Sequence, residues 1–144
     1  ALTLQGRYGS SPFRSAGERN SGPAGSYFME MDGQAVFKFA VRRVPQVIEE
    51  VLEKNGIHKE AISRYILHQA NRRIVEAVAR RLEEPGEKFP MNLQHYGNTS
   101  SASIPILLDE LNRSGQLKKG QKIVLAGFGG GLIWGAAVTE WNRD

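Results

Sequence analysis

His68 and Asn98 are the side chains from which chemistry can be built in this sequence. His68 closes the β-favouring run Tyr65-Ile66-Leu67, and Arg73-Ile74-Val75 opens a helical apolar period just behind it. It therefore falls where a strand hands over to a helix, and open α/β sheets bind their ligands at such strand ends. Asn98 sits in the loop Gly97-Asn98-Thr99-Ser100. A neutral imidazole and a carboxamide both offer N–H donors. Converging on one oxygen, they would stabilise negative charge developing there, as an oxyanion hole does. The glycine turn from Gly127 to Gly131 is a third feature, because backbone N–H groups without side chains can approach a ligand closely. Each signal alone is weak: a solitary histidine is commonly structural, and glycines between strands commonly just make turns.

The elements that must position these residues follow from periodicity. Val36, Phe37, Ala40, Val41, Val44, Val47, Ile48, Val51 and Leu52 predict a helix from Gly33 to about Lys54. Asp32 is its N-cap and Asn55-Gly56 its stop, with Pro45 expected to bend or interrupt it. The strand Arg64–Leu67 comes next, then a helix capped by Asn71 and running to about Leu82. Phe89 to Leu93 reads as a weak strand, Thr99 to about Asn112 as a helix, and Lys122 to Phe128 as a buried strand. Leu132 to Glu140 is expected to pair antiparallel with that last strand. Residues 1–30 read as one short strand, Leu2-Thr3-Leu4, and a long Gly/Pro-punctuated loop. The order predicts an α/β fold with a mixed five-stranded sheet and helices on both faces.

With 144 residues the chain is expected to hold one domain. It has no cysteine, so no disulfide and no thiolate nucleophile can come from it. No apolar run reaches the roughly 20 residues of a membrane-spanning helix. No secretory signal is read at its start, and a cytoplasmic protein is expected. The net charge of +4 fits a mildly basic surface or an acidic partner. Nucleic acid is not expected, because the basic residues do not interleave with aromatics. No metal site is expected, since no His/Asp/Glu cluster has ligand spacing. His58 and His95 read as surface or loop residues.

Taken together the wording is far more specific than its parts. His68-Gln69-Ala70-Asn71, Gly97-Asn98-Thr99-Ser100-Ser101-Ala102-Ser103 and Gly127-Phe128-Gly129-Gly130-Gly131-Leu132-Ile133-Trp134-Gly135 resemble the β-ketoacyl-acyl carrier protein synthase III family. The likeness runs from about Leu2 to the end and corresponds to the family's C-terminal, thiolase-like half. It implies a decarboxylating Claisen condensation that initiates fatty-acid synthesis. No cofactor would be permanently bound, and a coenzyme A thioester would be substrate. By this resemblance His68 and Asn98 would be catalytic, holding the malonyl thioester carbonyl and its enolate. The Gly130 N–H would help hold the oxyanion of the acyl thioester, and Phe128 would press on the malonyl carboxylate. Asn71, Gly33 and Phe37 would line the coenzyme A and pantetheine channel.

The family's nucleophilic cysteine belongs to an N-terminal half that this sequence lacks, so the chain alone is expected to be inactive. In this reading residues 1–30 come from between the halves and 31–144 form the core. The resemblance further implies a homodimer, with acyl carrier protein docking on Arg73, Arg80, Arg81 and Lys38. A merely solvated helix face opposite Ile74, Val78 and Leu82 accounts for the same arginine pattern. Two rival readings remain open: a ketosynthase-like acyltransferase of secondary metabolism, and a non-catalytic thiolase-fold partner subunit.

Overall fold

The computed structural model describes residues 32–143. Helix α1 spans Gly33–Lys54, and the Asp32 carboxylate caps it by accepting from the Gln34 and Ala35 N–H groups, each at 3.0 Å. Of the bend or interruption expected at Pro45, no interruption occurs: α1 runs through it in one piece. Proline there leaves the Val41 carbonyl without its usual i+4 donor, but the ring itself is buried. Strand β1 (Ile62–Leu67), helix α2 (Arg72–Leu82), a helical turn α3 (Leu93–Tyr96), helix α4 (Ser103–Arg113), strand β2 (Lys122–Gly129) and strand β3 (Ile133–Glu140) complete the order.

Among the described residues the sheet has three strands, ordered β1-β2-β3, with β1 parallel to β2 and β3 antiparallel to β2. The five-stranded expectation is corrected on one strand, and another, Leu2–Leu4, lies outside the described residues. Phe89–Leu93 forms no strand. Phe89 ends a 3₁₀ turn over Gly86–Lys88, Pro90 has no N–H to give a ladder, and the Asn92 N–H donates instead to Gln69 Oε1 at 3.2 Å. Phe89 is still buried, stacked on the Tyr65 ring at 4.7 Å.

The sheet buries both faces around β1 and β2, which explains the unbroken apolar run Tyr65-Ile66-Leu67. On one face Tyr65, Leu67, Val124 and Ala126 pack against α1 and α2 through Ala40, Val44, Ile48, Val75 and Val78. On the other, Ile66 and Ile123 pack against Leu107 and Leu111 of α4. Helices thus cover both faces, as expected. Truncating one such side chain, Leu107 for example, removes roughly 2–5 kcal/mol. This packing clamps the C-terminal ends of β1 and β2 side by side, with Leu67 opposite Ala126 in the register. The loops that follow both strands therefore open at the same end of the sheet.

Candidate active site

His68 is the first residue past β1, and its backbone continues the strand: its N–H donates to the Ala126 carbonyl at 2.8 Å. The ring is therefore fixed at the sheet's end by a main chain that still belongs to the parallel ladder. Its Nδ1 lies 2.6 Å from Ser103 Oγ, and the Phe128 ring stands edge-on at 5.2 Å between centroids. Burial lowers the His68 pKa from the usual histidine value. Burial thus favours the neutral ring, in which one nitrogen donates and the other accepts.

Asn98 is delivered by a different device. α3 ends at Gly97, whose N–H donates to the Leu93 carbonyl at 2.9 Å and whose backbone has φ 65° and ψ −152°. That region is essentially restricted to glycine, so Gly97 is what turns the chain into Asn98. The Asn98 Oδ1 then accepts the Ser100 N–H at 2.9 Å. This bond settles which end of the amide is which, leaving Nδ2 as the free donor.

Both residues line one cavity of about 1110 Å³, together with Phe128 and Gly130 of the glycine turn. Gly33, Phe37 and Lys38 of α1 and Asn71 and Arg73 of α2 line it as well. The Asn71 side chain caps α2, its Oδ1 accepting the Arg73 N–H at 2.8 Å. The Arg73 guanidinium sits 5.4 Å from the Phe37 ring centroid, a cation–π pair across the cavity rim. Of the site residues expected from sequence, nine therefore meet at one place, and Arg80 and Arg81 do not. These two lie in the last turn of α2, exposed and away from the cavity wall. His58 and His95 are exposed and line no part of the cavity.

In the sequence Ser103 stands out only as the last residue of the Gly97–Ser103 motif. It is 1% exposed and bonded to the His68 ring. No local signal reveals that pairing, because the partners are 35 positions apart. Gln69 was read only as part of a motif, yet it is fully buried. Its Nε2 donates to the Leu67 carbonyl at 2.9 Å, and its Oε1 binds the Asn92 N–H.

A ladder-anchored imidazole, an amide with its donor end free and a glycine turn thus line one cavity, and N–H donors so placed can stabilise negative charge on an oxygen bound there. Residues 52–141 match the family described as 3-oxoacyl-(acyl-carrier-protein) synthase III, C terminal. The beta-ketoacyl-(acyl-carrier-protein) synthase III of Streptococcus equi subsp. zooepidemicus is 48% identical over 132 residues, covering 90% of this chain and 39% of that protein. The chloroplastic beta-ketoacyl-(acyl-carrier-protein) synthase III of Arabidopsis thaliana is 52% identical over 114 residues, covering 79% of this chain and 28% of that protein. The crystal structure of 3-oxoacyl-(acyl-carrier-protein) synthase III from Aquifex aeolicus VF5 superposes with a TM-score of 0.78 at 47% identity, over 80% of this chain and 37% of that one.

The architecture is thus thiolase-like, a mixed α/β sheet with helices on both sides. Within that class, the chain belongs to the 3-oxoacyl-(acyl-carrier-protein) synthase III C-terminal family. It spans less than two fifths of the length of either curated relative.

Proposed function

We propose that this chain supplies the oxyanion-stabilising part of a β-ketoacyl-acyl carrier protein synthase III, which condenses an acyl-CoA with malonyl-acyl carrier protein to initiate fatty-acid synthesis. In this reading the acyl group first rests on a cysteine thiol elsewhere in the complete enzyme, because these 144 residues include no cysteine. The malonyl C–C bond to its carboxylate then breaks. Carbon dioxide leaves, and the electron pair passes into the thioester as an enolate. His68 and Asn98 Nδ2 donate to the enolate oxygen, where preorganised donors are worth most. The enolate carbon attacks the acyl thioester, whose oxyanion receives the Gly130 N–H, and the cysteine thiolate departs. Phe128, against the His68 ring, is proposed to crowd the malonyl carboxylate and favour its loss.

The cavity of about 1110 Å³ beside α1 and α2 suits a pantetheine arm, with Gly33, Phe37 and Asn71 in its lining. Arg73 and Lys38 at its rim, with Arg80 and Arg81 further along α2, are proposed to dock the acidic carrier protein, steering its approach. No cofactor need be resident, since coenzyme A comes and goes as substrate. The complete enzyme is proposed to act as a cytoplasmic homodimer. Among the described residues, no helix is long and apolar enough to cross a membrane.

The observation that carries this reading is the pair of oriented donors, His68 fixed through Ser103 and Asn98 through the Ser100 N–H, on one cavity wall. The test uses the full-length enzyme. His68→Ala and Asn98→Ala should each abolish condensation with malonyl-carrier protein while cysteine acylation by acyl-CoA stays near wild type. Loss of acylation to the same degree, or condensation that survives, would overturn the assignment.

A further inference from the structure

The hydroxyl of Ser103 is buried, and its bonding is constrained. Its oxygen accepts the Gln69 N–H at 3.2 Å and lies 2.6 Å from His68 Nδ1. A serine hydroxyl carries one proton and two lone pairs. The Gln69 N–H occupies one lone pair, so the hydroxyl proton still needs an acceptor. Among the described residues, the structure gives Ser103 Oγ no acceptor other than His68 Nδ1. Were Nδ1 protonated and donating instead, the serine proton would be left unpaired in a site only 1% exposed to solvent, an arrangement buried polar groups rarely tolerate.

We propose that Ser103 is a positioning residue that donates its O–H to His68 Nδ1 and so holds His68 as the tautomer with its proton on Nε2. That tautomer leaves Nε2–H as the ring's free donor. The opposite tautomer would present a bare lone pair to a developing oxyanion and repel it. Two further contacts make the arrangement rigid. Ser103 is the first residue of α4, whose Leu107 and Leu111 are buried against the sheet. The His68 backbone is itself tied to β2. The serine and the imidazole are thus carried by two separately anchored elements, and the bond between them sets the ring's rotation as well as its proton. The inference deepens the function proposed above and rests on it for its catalytic meaning, though the tautomer can be measured without turnover.

The experiment is ¹⁵N–¹H correlation of the histidine rings in the full-length enzyme at neutral pH, with the His68 signal identified by its loss in His68→Ala. The expected result is Nε2 protonated and Nδ1 unprotonated, with the Nδ1 shift moved by an accepted hydrogen bond. Ser103→Ala, which suits a helix start and should fold, is expected to populate the Nδ1–H tautomer. It should lower kcat for condensation about tenfold or more, the scale on which orienting partners of functional histidines act, leaving cysteine acylation unchanged. Ser103→Thr should restore the wild-type tautomer and most of the rate. A wild-type ring protonated on Nδ1 would overturn the inference without any variant. So would a Ser103→Ala enzyme whose His68 tautomer and condensation rate match wild type. The function proposed above fails separately, if His68→Ala itself leaves condensation intact while the wild-type ring carries its proton on Nε2.

Discussion

Replacing Gln69 is the sharpest test of how the site is held. Its side chain is sealed from solvent and joins two loops: Nε2 to the Leu67 carbonyl at the end of β1, and Oε1 to the Asn92 N–H before α3. Gln69→Met keeps the volume and removes both bonds. Orphaning the N–H of Asn92, a residue only 5% exposed, costs about 1–3 kcal/mol, and releasing the Leu67 carbonyl adds about 0.5–1 kcal/mol. Gln69→Ala also empties roughly 50 Å³, worth about 1 kcal/mol more at about 24 cal/mol per Å³. The expected order is therefore wild type, then Met lower by about 1.5–4 kcal/mol, then Ala lower by about 2.5–5 kcal/mol. These are large fractions of a stability of about 5–15 kcal/mol. Urea unfolding of the full-length protein measures the shifts as changes in midpoint at constant slope. Because Gln69 follows His68 directly, both variants should also lower condensation more than cysteine acylation. A Met variant within about 0.5 kcal/mol of wild type would refute the view that this glutamine ties the two catalytic loops together.

Three further outcomes are expected. Gly97→Ala forces a side chain into φ 65°, ψ −152° and should cost about 1–3 kcal/mol. It should cut condensation by displacing Asn98, which thermal unfolding and turnover assays would register together. His68 has its folded pKa lowered by burial, so the unfolded chain takes up its proton first as pH falls. Its contribution to stability should be complete above about 6.5, the ordinary histidine value. That contribution is lost on descending toward the lower folded pKa and constant below it. NMR titration of the His68 ring should accordingly give a midpoint below the free-histidine value, and a midpoint above it would contradict the burial argument. Arg73→Glu should raise KM for malonyl-carrier protein while sparing acyl-CoA, with a difference that shrinks in added salt. Equal effects on both substrates would show that Arg73 serves the cavity and not the docking of a partner.

Much of the frame was legible because its signals are local. Asp32 and Asn55-Gly56 bracket α1 at the bounds observed, Tyr65-Ile66-Leu67 reads as a β-favouring run, and the apolar Lys122–Phe128 reads as a buried strand. The donors His68 and Asn98 were legible as residue types at element ends. Phe89–Leu93 misled because its alternation imitates a strand. Pro90 withholds one ladder donor there, and Gln69 captures another from a site 23 positions away. The Ser103–His68 bond was invisible for a related reason: nothing in either stretch names its partner until α4 is folded onto β1. Local chemistry reads from sequence, whereas the orientation of that chemistry depends on contacts the sheet creates.

Asn71 carries a consequence for how this family can change. Its Oδ1 is committed to the α2 cap, so only the amide nitrogen is available to a molecule in the cavity. On the proposed reading, helix start and ligand contact are thus divided between two atoms of one side chain. Asp at this position would preserve the cap while deleting the donor. Drift at position 71 could therefore retune the hold on a pantetheine-like arm with little loss of fold stability, whereas Ala or Leu would damage both at once. A residue that looks indispensable to the fold would then be, for the ligand, one of the easiest places to alter.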